Sequence, residues 1–117
     1  MKVFFAIFPE SRDADNFPLT KEEISWLDDN ERELIDVIVS RDLLPVLRDD
    51  GTITKAQYAK IQSQASNVEV NKLLLDVISR RRRKDLRHFC RALESRGQEH
   101  VAYWIERGVS KFIKQTR

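Results

Sequence analysis

His88 and Cys90 are the residues of this chain that come nearest to a catalytic base and its nucleophile. A thiol is activated when a base within hydrogen-bond reach takes its proton and a third group orients that base. Residues two apart on a helix point to different faces, so this spacing separates imidazole from thiol. His100 stands further along, no Asp or Asn completes a triad, and Cys90 falls in an apolar stripe, where a free cysteine is commonly buried. The expectation is a chain with no catalytic residue, not an enzyme. One cysteine permits neither an internal disulfide nor a cysteine-based zinc site, and gives no sign of an oxidising compartment. No Gly-rich phosphate loop is present, and Asp49-Asp50 lacks the further oxygens at set spacing that calcium needs. Neither metal nor cofactor is expected.

Charge is the other chemistry on offer. Arg80-Arg81-Arg82-Arg83-Lys84 is an unbroken basic run. Guanidinium groups pair bidentately with carboxylates and stack on planar groups, which suits a protein interface. Attraction to an acidic patch speeds encounter and sets specificity. A solvated helix end is the second reading, because positive side chains complement the C-terminal dipole of the helix before them. Nucleic acid is the third. Lys plus Arg is 21 against 19 for Asp plus Glu, a net charge of only +2, whereas a nucleic-acid binder carries a clear basic excess. A protein partner is therefore preferred, with a small basic helical nucleic-acid binder using Arg80 to Lys84 as the alternative. Asp49-Asp50, ahead of Gly51, reads equally as an acidic contact or a helix-ending turn.

The elements that carry these residues are legible from caps and periodicity. At 117 residues, 41% apolar and 34% charged, the chain fits one globular domain with a heavily charged surface. Gly and Pro number three each, so helix can run through most of it. Thr20-Lys21-Glu22-Glu23, Thr54-Lys55-Ala56-Gln57 and Ser66-Asn67-Val68-Glu69 are three capping boxes, each followed by helix-spaced apolar residues. The first helix is expected from Lys21 to Val39, with Leu27, Leu34, Ile35 and Ile38 inward. A short second helix runs from Leu43 to Asp49, capped by Asp42, with Pro45 in its first turn. The third spans Lys55 to Gln64 and buries Tyr58 and Ile61. The fourth starts at Asn67 and carries Val70, Leu73, Leu74, Val77 and Ile78. The fifth carries Leu86, Phe89, Cys90 and Leu93. This stripe is rotated by roughly 140° from the one before it, so a break near Arg81 to Lys84 is expected in place of one straight helix. Gly97 ends the fifth helix. The sixth begins near Gln98 with Val101, Trp104 and Ile105 inward, and Val109, Phe112 and Ile113 carry its phase past Gly108. The product is an all-α, six-helix antiparallel bundle.

Residues 1–19 read as an apolar N-terminal arm, residues 20–108 as the helical domain and residues 109–117 as a helical extension or tail. The opening Met1-Lys2-Val3-Phe4-Phe5-Ala6-Ile7-Phe8 has too short an apolar core for a signal peptide. Pro9 and Glu10 follow at once, without a small-x-small cleavage site. Phe4, Phe5, Ile7 and Phe8 are expected to cover a groove of the bundle, to pair with another chain, or to remain as a sticky end. An arm packed on the bundle would mask an interaction face. No apolar run approaches membrane-spanning length, so no membrane partner is expected and the cytoplasm is the expected location.

Four segments, in this order and spacing, resemble the caspase-recruitment domain of the death-fold superfamily. They are Leu43 to Tyr58, Asn71 to Ile78, Phe89-Cys90-Arg91-Ala92-Leu93, and Gly97 to Ala102. The resemblance covers about Lys21 to Arg107. It departs from the family where Ser79 to Asp85 stands in place of a Gly between the fourth and fifth helices. Arg83-Lys84-Asp85-Leu86 is also similar to the Arg-x-Asp-Leu signature of death-effector domains, which is the alternative at fold level. The resemblance implies a Greek-key helical bundle and homotypic docking, with self-association or another domain of the kind as partner, in apoptotic or inflammatory signalling. Carried over residue by residue, it implies a basic side at Lys72 and Arg80, extended by Arg81, Arg82, Arg83 and Lys84, and an acidic side at Asp42, Asp49 and Asp50.

Overall fold

The computed structural model describes residues 17–115, with side chains through Val109. The arm residues Phe4, Phe5, Ile7 and Phe8, and the side chains of Phe112 and Ile113, lie outside what is described. Among the described residues the chain forms seven α-helices and one 3-10 turn, with no strand. They are α1 (Lys21–Asp29), α2 (Glu31–Val37), the turn Ser40–Asp42, α3 (Leu44–Asp49), α4 (Lys55–Gln62), α5 (Asn67–Ser79), α6 (Arg83–Ser95) and α7 (Glu99–Gln115).

The helix starts at Thr20 and Thr54 form as the sequence predicts. Thr20 Oγ1 accepts the Glu23 N–H at 3.2 Å, and the Thr20 N–H donates to Glu23 Oε1 at 2.8 Å. Thr54 and Gln57 make the same exchange at 3.0 and 2.9 Å. At Ser66 only half of the box forms: Ser66 Oγ accepts the Glu69 N–H at 3.2 Å, and Glu69 does not return the bond.

Two expectations are corrected. The first predicted helix is two helices. Asn30 bends its backbone out of helix, and both its N–H and its side-chain Nδ2 donate to the Trp26 carbonyl, at 3.1 and 2.8 Å. An Asn amide competes with the backbone ladder in this way, which is why Asn favours caps over helix interiors. Asp42 does not cap the next helix either. It lies in the 3-10 turn, and Leu43 takes the cap position without a side-chain bond.

The breaks at glycine follow from backbone freedom. Gly51 and Gly97 adopt φ of 82° and 78°, a region that side chains with a Cβ rarely enter, and each ends a helix. Gly108 has a different reason. It lies inside α7 with the Trp26 indole seated on its backbone, where a Cβ would overlap the ring. Trp26 meets Trp104 edge-on, with centroids 5.8 Å apart at 75°.

The core is one cluster running through Leu34, Leu43, Leu47, Ile53, Ile61, Leu74, Ile78, Leu86, Phe89, Leu93 and Ile105. Helix α6 is central: it packs on α7, α3 and α5, while α1 lies across α7 and α5. Buried polar groups staple the loops to this core. Asn71 Nδ2 donates to the carbonyls of Ile35 and Ile38 at 2.8 and 2.9 Å, which closes the end of α2. The Gln98 amide exchanges hydrogen bonds with the Val39 backbone at 2.9 and 3.2 Å.

Candidate protein-docking site

The arginine run forms the corner between α5 and α6, because the chain turns there and two apolar stripes of different phase must each reach the core. Helix α5 ends at Ser79, Arg80 caps it, and α6 starts at Arg83. The corner divides the run into two kinds of side chain. Arg83 points inward: its Nη2 lies 2.7 Å from Glu23 Oε2 of α1, with the Arg83 side chain 13% exposed and Glu23 buried. Asp85 is also buried. Its Oδ2 accepts the Arg82 N–H at 3.2 Å and lies 3.3 Å from Arg81 Nε and 3.8 Å from Arg82 Nε. These pairs fix the corner's shape. Removing one partner of a buried pair would strand the other's charge away from water.

The other basic side chains face outward. Arg80 is 78% exposed and touches Asp76 one turn earlier at 3.3 Å, a surface pair worth little. Arg82 is 46% exposed. Lys84 is half-buried and Lys72 is exposed, about 12 Å of helix rise before Arg80. The N-terminal segment crosses the same corner: the Arg83 N–H donates to the Phe17 carbonyl at 3.0 Å, and Pro18 bridges Arg82. Phe17 itself is exposed and Leu19 is buried.

Asp42, Asp49 and Asp50 are all exposed at the α3 edge, away from the corner in sequence. Asp49 lies 3.3 Å from the Arg48 guanidinium. Asp50 Oδ1 accepts from the Thr52 N–H at 3.0 Å and the Thr52 hydroxyl at 2.6 Å, so this carboxylate also builds the turn through Gly51. With Arg41 and Arg48 alongside, the edge carries one negative charge in excess. A denser acidic surface lies on α1 and α2, where Asp28, Asp29, Glu33 and Asp36 are exposed and Glu31 half-exposed. The sequence reading did not single out these five residues, nor Glu23 and Asp85 as the partners of the arginines. Besides the Arg-x-Asp-Leu likeness, the signal available for Asp85 was its place three residues into α6, where a carboxylate meets the first N–H groups.

Cys90 and His88 have different surroundings. Cys90 is fully buried, and burial, then Glu106 and Glu94, push its thiol well above the ordinary range. His88 Nδ1 lies 3.4 Å from the Thr52 hydroxyl. Among the described residues no group of His, Cys, Asp and Glu is placed to hold a metal ion, and no helix is long and apolar enough to cross a membrane.

The model of the caspase recruitment domain family matches residues 24–108, well over half of the chain. Searches of curated proteins and of solved structures gave no match. The match selects between the two death-fold branches that the sequence suggested, and the long α7 after Arg83-Lys84-Asp85-Leu86 agrees with it. An all-α bundle, the order of its helices and a family match from α1 into α7 lead to one conclusion: the chain belongs to the caspase recruitment domain (CARD) family, whose domains are protein-interaction modules.

Proposed function

We propose that the chain acts as an adaptor or regulator in apoptotic or inflammatory signalling, docking a like domain in another CARD protein or in a second copy of itself. The setting is the cytoplasm, and the contact is made through complementary charged surfaces. The observation that carries the choice of surface is the construction of the α5–α6 corner. Arg81 and Arg83 are held on buried carboxylates while Arg80, Arg82 and Lys84 are presented on a fixed frame, with Lys72 on the same helix. A fixed backbone frame loses less freedom on binding than a mobile loop, so such a corner suits carboxylate recognition by the arginines it presents. Asp42, Asp49 and Asp50 are the acidic side that family resemblance implies.

Light scattering across a concentration series tests this, with the wild type beside Arg80→Glu/Arg82→Glu. Concentration-dependent assembly that the double substitution abolishes, with the far-ultraviolet circular dichroism unchanged, supports docking through the corner. Assembly that the substitution leaves intact removes the corner from the contact.

A further inference from the structure

Among the described residues the densest uncompensated charge is negative and lies on α1–α2. Between residues 28 and 36, Asp28, Asp29, Glu31, Glu33 and Asp36 stand against the single Arg32, leaving four negative charges in excess. None of the five carboxylates has an ion pair with a described residue. Glu31 and Glu33 lie in the first turn of α2, where a carboxylate is favoured, but the other pair beside the bend works against the fold. Asp28 and Asp29 occupy the last turn of α1, which holds no basic residue. There the helix carries its partial negative charge, and a carboxylate costs a few tenths of a kcal/mol to about 1 kcal/mol. Local rules broken without a compensating contact inside the molecule mark a surface that serves something outside it.

The complementary surface is on the same chain. The α5–α6 corner presents Arg80 and Arg82, with Lys84 beside them and Lys72 on α5. It does not neutralise the ridge of its own molecule. The Glu23–Arg83 pair pins the other end of α1 to the corner, and Asp28 lies five residues further, about 7.5 Å of helix rise. Helix α2, which carries Glu31, Glu33 and Asp36, packs on α5, yet none of these carboxylates makes an ion pair there. We infer that the α1–α2 ridge of one copy docks on the α5–α6 corner of a second copy. This rests on the docking reading above and names its acidic side as the ridge instead of the α3 edge, whose carboxylates are shared with Arg48 and the Gly51 turn. Because the two surfaces differ and share one chain, each copy offers both halves of the contact. Its attraction is screened over about 8 Å at physiological salt, so assembly weakens as salt is raised.

Sedimentation velocity over a concentration series tests it with four proteins: the wild type, Asp28→Lys/Glu33→Lys, Arg80→Glu/Arg82→Glu, and the chain carrying all four changes. The wild type is expected to associate. Each double variant alone should lose at least about 10-fold in affinity. Their equimolar mixture, and the fourfold variant, should regain part of the association because the introduced lysines again face the introduced glutamates. Thermal melts establish that each variant is folded. Undiminished association of the ridge variant, or no rescue in both the mixture and the fourfold chain, overturns the ridge–corner contact. Loss of association in Asp42→Lys/Asp49→Lys but not in the ridge variant assigns the acidic side to the α3 edge, so the inference falls while docking through the corner stands. A wild type that stays monomeric throughout overturns contact between copies and leaves a different like domain as the partner.

Discussion

Glu106 sets up a pH dependence that the fold cannot hide. Its side chain is fully buried on α7, and neither carboxylate oxygen has a hydrogen-bond partner among the described residues. Burial, and then the neighbouring Glu94, push its pKa from 4.5 up to about 8. The folded chain therefore holds Glu106 protonated at neutral pH, whereas the unfolded chain releases that proton above pH 4.5. The stability tied to this proton is fully present below pH 4.5, is lost progressively as pH rises toward 8, and changes no further above it. At about 1.4 kcal/mol per pH unit the whole window amounts to about 5 kcal/mol, of which about 3 kcal/mol falls between pH 5 and 7.5. Glu106→Gln keeps the shape and removes the proton. Urea unfolding of both proteins from pH 4 to 9 should give curves that diverge, with the wild type losing about 3 kcal/mol more than the variant between pH 5 and 7.5. By thermal melting the same divergence is about 12 °C. Parallel curves would refute the reasoning, because they would mean that the carboxyl ionises as readily in the folded state as in the unfolded one.

Three further outcomes are expected. Gly108→Ala improves helix propensity by about 1 kcal/mol, yet it should lower the melting temperature, by about 1–3 kcal/mol of stability, because its Cβ overlaps Trp26. Glu23→Gln keeps an oxygen for the Thr20 cap but leaves the Arg83 guanidinium without its counter-charge, and should cost about 3 kcal/mol in urea unfolding. Adding Arg83→Met should recover part of that loss. Cys90 should resist a neutral-pH thiol reagent in the folded chain and react fully in denaturant, because the thiol is buried and held protonated.

Much of the fold was legible because its signals are local. The Thr20 and Thr54 caps, the apolar stripes of α5 and α6, and the Gly97 stop each depend on residues within a few positions of one another. The break between α5 and α6 followed from two stripes whose phases disagree. The Asn30 bend was missed because Asn in mid-helix reads as neutral until its amide is seen on the Trp26 carbonyl. The apolar phase carried the last helix past Gly108, but nothing local showed that this glycine seats a tryptophan eighty-two positions away. The proposed docking surface was legible only as a run of five basic residues. Which arginines face outward depends on where Glu23, sixty positions earlier, is carried by α1. The α1–α2 ridge was passed over for a related reason. Counting charges along a chain does not show which of them the folded structure neutralises.

The most direct measurement is amide NMR of the 15N-labelled chain across a concentration series. Docking through the α5–α6 corner predicts concentration-dependent shifts at Lys72 and at Arg80 to Lys84, while core amides such as those of Phe89 and Leu74 stay in place. Association seen in the same samples without any shift at Lys72 or Arg80 to Lys84 would contradict it.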